Sequence, residues 1–136
     1  MDPSAGSGQE APQVAIIGCG ALLYEALLAA RELEGSMDVT VINMHTIKPI
    51  DEQAIISAAR KCGAIVTVEE HQINGGLGSA VSEILSRNWP APIEYIGMPN
   101  SFGESGKPDE LLEKYGMKAK NIVEAVKKVV ARKVDK

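Results

Sequence analysis

The sequence predicts a three-layer α/β/α domain on a mainly parallel sheet of four strands in the order 2-1-3-4. Two observations carry this prediction: short β-branched runs recur along the chain, and segments with apolar residues at helical spacing separate them. Such runs suit strands that are covered on both faces, and strands alternating with helices form parallel sheets. Right-handed crossovers leave few topologies, and this order places a switch point between strands one and three.

Length and composition set the limits of the prediction. With 136 residues the chain has room for one core. We expect residues 1–12, rich in Gly, Ser and Pro, to be a flexible leader, and residues 13–136 to be the domain. The net charge of −4 argues against nucleic acid as a partner, and no apolar run approaches the roughly 20 residues of a membrane helix. Cys19 and Cys62 lack metal-ligand spacing, which favours two reduced core thiols in a cytoplasmic protein.

The first strand is predicted over residues 14–17 and is closed by Gly18-Cys19-Gly20. A helix is predicted over 21–34, where Gly35 provides the C-terminal stop. Its apolar stripe comprises Leu22, Leu23, Ala26, Leu27, Ala30 and Leu33.

The second strand is predicted over residues 39–42, as another buried run. Asp51 is then a favourable N-cap for a second helix, which should end near Cys62 and stop at Gly63. Ile50 and Ile55 flank this cap at the spacing of a hydrophobic staple, which fixes how the chain enters the helix.

The third strand, residues 65–68, leads into the stretch around which the chain is organised. Glu69, Glu70 and His71 come where this strand should end, and after a glycine turn a helix should begin near Leu77. Free N–H groups at a helix amino terminus favour anions. Ligands and partner surfaces meet open α/β sheets at this edge, where the parallel strands end.

The rest of the chain predicts a fourth strand over residues 93–96, at a sheet edge because apolar and polar residues alternate. A short helix should run over 108–115 and end at Gly116. Asn121 is predicted to cap the last helix in a capping box with Glu124. Its apolar face comprises Ile122, Val126, Val129 and Val130.

Two glycine motifs invite a functional interpretation. Gly18-Cys19-Gly20 opens like a dinucleotide fingerprint, but Leu23 occupies the third glycine position, so a tight strand-to-helix turn is the better interpretation. The second motif contains Gly75, Gly76 and Gly78 followed by Ser79, and it could cradle a phosphate. It lacks the Gly-Lys-Ser/Thr ending of a P-loop, which favours close backbone packing against another domain.

The carboxylates and histidines near the third strand do not form a recognisable catalytic set. Glu69 and Glu70 are adjacent in an extended strand, so they should point to opposite faces, one towards a helix and the other towards the cleft at the strand ends. His45 and His71 without spaced carboxylates or cysteines make a poor metal site. For His71 a hydrogen-bonded interface role is favoured over acid/base chemistry. No catalytic, cofactor-binding or metal residue is therefore predicted.

Three segments, in this order, resemble the C-terminal domain of transketolase over about residues 14–130. They are Thr46-Ile47-Lys48-Pro49-Ile50-Asp51, Val68-Glu69-Glu70-His71 with Gly75-Gly76-Leu77-Gly78, and Ser105-Gly106-Lys107-Pro108 with Glu110-Leu111-Leu112 and Tyr115-Gly116. Deoxyxylulose-phosphate synthase and the β chain of 2-oxoacid dehydrogenases are similar in a looser way, and the Ser-Gly-Lys-Pro segment favours transketolase.

The resemblance implies a thiamine-diphosphate enzyme with a divalent metal that transfers a two-carbon ketol unit between sugar phosphates, as in the pentose phosphate pathway. The family binds the cofactor between its first two domains in paired subunits, and this chain resembles only the third. The Gly-Asp-Gly motif for diphosphate and metal is absent, so no cofactor residue is carried over. The family's fifth, antiparallel edge strand would fall in the Gly/Ser-rich leader, and its loss would expose a sheet edge.

The resemblance predicts a structural role in such an enzyme, with no cofactor site in this chain and no activity in isolation. The expected docking or anion-site residues are Gly18, Gly20, Glu70, His71, Gly75, Gly76, Gly78 and Ser79. The partner would be the other transketolase domains or a second subunit in a homodimer. The alternatives are a self-sufficient nucleotide- or anion-binding module that uses the switch-point cleft, or the matching domain of the two related enzymes.

Overall fold

The computed structural model describes residues 11–20, 22–44, 50–72, 76–98 and 112–133, without the side chains of residues 70–72 and 98. Its four strands are β1 (Gln13–Gly18), β2 (Asp38–Asn43), β3 (Ile65–Gln72) and β4 (Ile93–Met98). Its helices are α1 (Leu22–Glu32), α2 (Glu52–Cys62), α3 (Leu77–Asn88) and α4 (Ala119–Ala131). All pairings are parallel and the strand order is β2-β1-β3-β4, which confirms the predicted topology.

Two apolar clusters, one on each face of the sheet, make the three layers. On one face α1 and α4 pack on β1 and β3, with Ile16, Leu22, Val66 and Val126 fully buried. On the other face α2 and α3 cover the alternate residues of the same strands. The two central strands are therefore covered on both sides, as their continuous apolar runs predict.

The predicted boundary signals of α2 are confirmed. The Asp51 side chain accepts a hydrogen bond from the Ala54 N–H at 3.1 Å. Ile50 and Ile55 pack in the same cluster, as the staple predicts. At the other end Gly63 adopts a left-handed conformation, with φ of +75°, and its N–H closes the helix on the Ala59 carbonyl.

Three local predictions were wrong. On α1 the buried positions are Leu22, Ala26 and Ala29, and Leu33 is buried just after the helix. Leu27 is exposed, because the helix turns a narrower face to the sheet than the apolar stripe suggests. Strand β2 is only half-buried, since it lies at the sheet edge.

The third wrong prediction concerns the start of α4. Lys118 is the N-cap, and Asn121 lies inside the first turn and accepts the Lys118 N–H at 3.0 Å. Asn121 therefore takes the third helical position of the capping motif, where its side chain reaches back to the cap. On the apolar face Ile122, Val126 and Val129 are buried as predicted, and Val130 is half-buried.

The remaining predictions can be compared only in part. Gly116 has φ of +66° and follows a helical turn at residues 112–114, in keeping with the predicted stop. The start of that helix and the leader, residues 1–10, lie outside the described residues. Neither cysteine forms a disulfide, and Cys62 is buried while Cys19 is half-buried. Among the described helices, none has the length and apolar character needed to cross a membrane.

Candidate functional site

The candidate site lies at the edge where the parallel strands end. Gly18 is opposite Val68 in the pairing of β1 with β3, and the Cys19 N–H donates to the Val68 carbonyl at 3.2 Å. The turn at Gly18–Gly20 therefore lies beside the segment that contains Glu70 and His71, as the strand order predicts. Gly20 has φ of +75°, which explains why a glycine makes this turn.

Strand β3 continues through Glu69, Glu70 and His71 to Gln72, beyond the predicted end at residue 68. The pairing with β4 is irregular here: Val68 faces Ile96 and Gln72 faces Met98, so β3 has two more residues than its partner between these pairs. Such a bulge bends a strand and redirects its side chains. The polar residues of the site thus belong to a bulged strand end rather than to a loop.

Glu69 is the residue that joins this strand end to the next helix. Its side chain is 1% exposed, and its two carboxylate oxygens accept the N–H groups of Leu77 and Gly78, both at 2.8 Å. These N–H groups are in the first turn of α3, where a helix has no backbone acceptors for them. The carboxylate thus compensates for its burial through two charge-assisted hydrogen bonds and the positive end of the helix.

Sequence reasoning identified this helix terminus but selected Glu70 instead of Glu69 for the site. The prediction that one of the two glutamates faces a helix is confirmed, and that residue is Glu69. The missed signal was the alternation along β3: Ile65 packs on the α2 and α3 face, so Glu69, four residues later, is expected on the same face.

The glycines at the start of α3 have a packing reason within the domain. A Cβ on Gly78 would lie 2.7 Å from Cδ1 of Tyr95 and 3.1 Å from Oγ1 of Thr67. Gly76 is the N-cap and has extended backbone angles. Ser79 is half-buried in the first turn. The sequence predicted that these glycines allow close packing against another domain. At Gly78 the close contact is instead with the domain's own sheet.

Several predicted site residues remain predictions. Gly75 lies outside the described residues, and the side chains of Glu70 and His71 are not described. His45, which with His71 was expected to make a poor metal site, also lies outside them. Among the described residues no group of three His, Cys, Asp or Glu side chains could hold a metal ion.

Comparison with known proteins identifies the domain. The sequence profile of the family described as "Transketolase, C-terminal domain" matches residues 5–122. The chain belongs to this family. It is 46% identical over 126 residues to the 6-deoxy-6-sulfo-D-fructose transketolase subunit of Clostridium sp. (strain MSTE9), covering 92% of the chain and 39% of that subunit. It is 41% identical over 124 residues to the 1-deoxy-D-xylulose-5-phosphate synthase of Methylibium petroleiphilum, covering 90% of the chain and 19% of that synthase.

Solved structures agree with the transketolase assignment. A split-gene transketolase, described as an inactive beta4 tetramer, superposes with a TM-score of 0.86 at 43% identity, over 93% of this chain and 42% of that one. Transketolase from Leishmania mexicana shares the fold, with a TM-score of 0.67 at 21% identity, over 91% of this chain and 17% of that one. The chain therefore spans less than half the length of these transketolase-type relatives.

The family implies thiamine diphosphate and a divalent metal in the full enzyme, and the residues described at this edge of the sheet do not fit them. A diphosphate needs free N–H donors or cations, and at α3 the donors of Leu77 and Gly78 already bind Glu69. The carboxylate cluster that a magnesium-type ion requires is absent from the described part of the chain. No chemical step is therefore assigned to this domain.

Proposed function

We propose that this chain is the third domain, or a small subunit, of a cytoplasmic transketolase-like enzyme that transfers two-carbon ketol units between sugar phosphates. Its own role is structural. The edge where the strands end docks on the middle domain or helps two subunits to pair, through the region of Gly18, Gly20, Glu70, His71, Gly75, Gly76, Gly78 and Ser79. Thiamine diphosphate binds elsewhere in the longer enzyme, and the isolated chain is inactive.

The observation that carries this proposal is the position of Glu69. An external anion at the start of α3 would have to displace a buried carboxylate that makes two hydrogen bonds of 2.8 Å. Displacement would leave that charge buried without partners, which costs several kcal/mol by order of magnitude. This edge is therefore better suited to holding a fixed shape against another protein surface than to binding a nucleotide.

An exposed apolar face next to this edge supports docking. Tyr24, Leu27 and Leu28 lie on one face of α1 and are 65%, 52% and 38% exposed. Helix α1 starts directly after the Gly18–Gly20 turn, so this apolar face adjoins the candidate site. Clustered large apolar side chains on a surface are typical of protein interfaces.

Two binding experiments test the proposal. Titration of the 15N-labelled chain with thiamine diphosphate, ATP and NAD should leave the amide signals of Gly18, Leu77 and Gly78 unchanged, whereas a saturable shift of these signals with a nucleotide would support the binding-module alternative. Mixing the chain with the first two domains of the same enzyme should give a complex. Leu27→Glu should weaken that complex by about tenfold or more, because it places a charge in an apolar contact.

Ser86→Glu is the matched control, since it introduces the same charge at an exposed position on α3. Equal affinities for Leu27→Glu and Ser86→Glu would contradict docking through α1.

The 41% identity to a 1-deoxy-D-xylulose-5-phosphate synthase favours a second candidate, the matching domain of that enzyme. The product of the reconstituted enzyme separates the two. Ketol transfer between sugar phosphates supports the first candidate, and formation of 1-deoxy-D-xylulose 5-phosphate supports the second.

A further inference from the structure

A second cleft opens at the opposite edge of the sheet, where the strands begin. It lies between the end of α2, the segment before β4 and Lys133, and it has a volume of about 240 Å³. A water molecule takes about 30 Å³ of the liquid, so the cleft has room for a small organic ligand. Nothing in the proposed docking role uses this cleft.

Among the described residues, those that line the cleft include the cations Arg60, Lys61 and Lys133 and no acid. The salt bridges seen within the described ranges involve neither Arg60 nor Lys61. Lys133 donates one hydrogen bond to the Gln13 carbonyl at 2.9 Å, which leaves two of its three donors available. A net-negative chain thus presents a locally cationic cleft.

The negative charge at the helix carboxyl ends offsets only part of this positive charge. Helices α2, α3 and α4 all end here, and each carboxyl terminus is equivalent to about half a negative charge. The Asp38 carboxylate, which acts on the nearby Cys62 thiol, adds one more. Three cations against about 2.5 negative charges leave the cleft with an excess of about half a positive charge. The basic residues therefore exceed what balancing the helices requires.

Trp89 adds an aromatic ring to the charged lining of the cleft. The Arg60 guanidinium carbon lies 5.1 Å from the centre of its ring, and the Trp89 side chain is 36% exposed. A guanidinium that contacts an aromatic ring in this way still has N–H groups with which to form hydrogen bonds to an oxyanion. The contact also restricts the arginine before any ligand arrives, which lowers the entropy cost of binding.

We propose that this cleft binds a small organic phosphate, with the Arg60 guanidinium edge on the phosphate oxygens and Lys61 and Lys133 supplying further positive charge. The remaining space beside Trp89 and Pro92 takes the organic part of the ligand. The site is separate from the edge that the docking role uses, so either proposal can fail without the other.

Trp89 is the only tryptophan of the chain, so its fluorescence reports on the cleft directly. Titration of the chain with inorganic pyrophosphate, with ionic strength held constant by chloride, should give a saturable change in this fluorescence. Arg60→Gln and Lys133→Gln should each weaken binding by about fivefold, which corresponds to about 1 kcal/mol for an exposed charge. Calorimetry on the same variants gives the affinity without relying on the fluorescence of Trp89, whose surroundings the substitutions change.

Arg87→Gln is the matched control, because it removes an exposed arginine near the end of α3 that does not line the cleft. It should bind pyrophosphate like the unaltered chain. A linear, unsaturable response would overturn the proposal, as would equal weakening in Arg60→Gln and Arg87→Gln. Circular dichroism confirms that each variant is folded.

Discussion

Replacing Glu69 tests how far one buried carboxylate holds the candidate site together. In Glu69→Gln the side chain keeps its size, and its amide oxygen can accept only one of the two N–H groups, those of Leu77 and Gly78. The amide nitrogen then faces the other N–H group, which is left buried without an acceptor. The variant also loses the negative charge at the positive end of α3.

The magnitude follows from these losses. A hydrogen bond to a charged group contributes about 1.5–3 kcal/mol, and a buried unsatisfied donor costs about 1–3 kcal/mol. We therefore expect Glu69→Gln to lower the free energy of unfolding by about 2–3 kcal/mol. With a urea dependence of about 2 kcal/mol per molar, this shifts the midpoint by about 1–1.5 M.

Equilibrium unfolding in urea measures this loss, and Glu83→Gln on the same helix is the control. Glu83 pairs with Arg87 at 3.5 Å with both side chains mostly exposed, so its replacement should cost less than about 0.5 kcal/mol. Hydrogen exchange should accelerate at the Leu77 and Gly78 amides in Glu69→Gln only. Equal midpoints for Glu69→Gln and Glu83→Gln would refute the reasoning.

Three further predictions concern the scaffold. A Cβ on Gly18 would lie 2.5 Å from Cγ2 of Val68, so Gly18→Ala should destabilise the domain by about 1–3 kcal/mol. The double variant with Val68→Ala should lose less stability than the sum of the two single changes. Strictly additive losses would argue against the clash. Glu25 accepts the Ala119 N–H at 2.8 Å, so Glu25→Gln should cost about 0.5–1.5 kcal/mol in urea unfolding, whereas the exposed Glu32→Gln should be neutral. Burial raises the pKa of the Cys62 thiol in the folded chain. Above about pH 8.5 the unfolded chain therefore loses this proton more readily than the folded chain does. The free energy of unfolding should fall as the pH rises through this range. Thermal unfolding of Cys62→Ala should show a smaller loss between pH 8 and 10, and an identical pH profile would contradict this.

Local signals predicted the order and type of the elements because each is encoded within a few residues. The Asp51 cap, the staple of Ile50 with Ile55 and the stop at Gly63 all depend on short-range contacts, and all are confirmed. The strand order followed from the crossover rule, which depends on chirality rather than on particular side chains. The sequence was therefore sufficient for the fold.

The errors arose where distant segments decide the outcome. The predicted Asn121 cap used only local spacing, but the start of α4 also receives the Glu25 carboxylate from α1, 94 residues earlier in the chain. The extension of β3 beyond Val68 depends on a bulge against β4. The role of Glu69 depends on a helix eight residues later. Spacing in the sequence does not report such contacts.

The cleft where the strands begin also depends on contacts between distant segments. Arg60, Trp89 and Lys133 belong to three segments that are remote in sequence, and only the packing of α2, α3 and α4 on one sheet brings them together. Each of them, taken alone, is an ordinary residue at a helix end.

Ketol transfer between sugar phosphates, measured for this chain alone, for the first two domains alone and for their mixture, tests the central claim most directly. The account predicts no turnover for this chain alone and the highest turnover for the mixture. Turnover by this chain in isolation, or a mixture no more active than the first two domains alone, would contradict the proposal that this domain completes a transketolase-like enzyme.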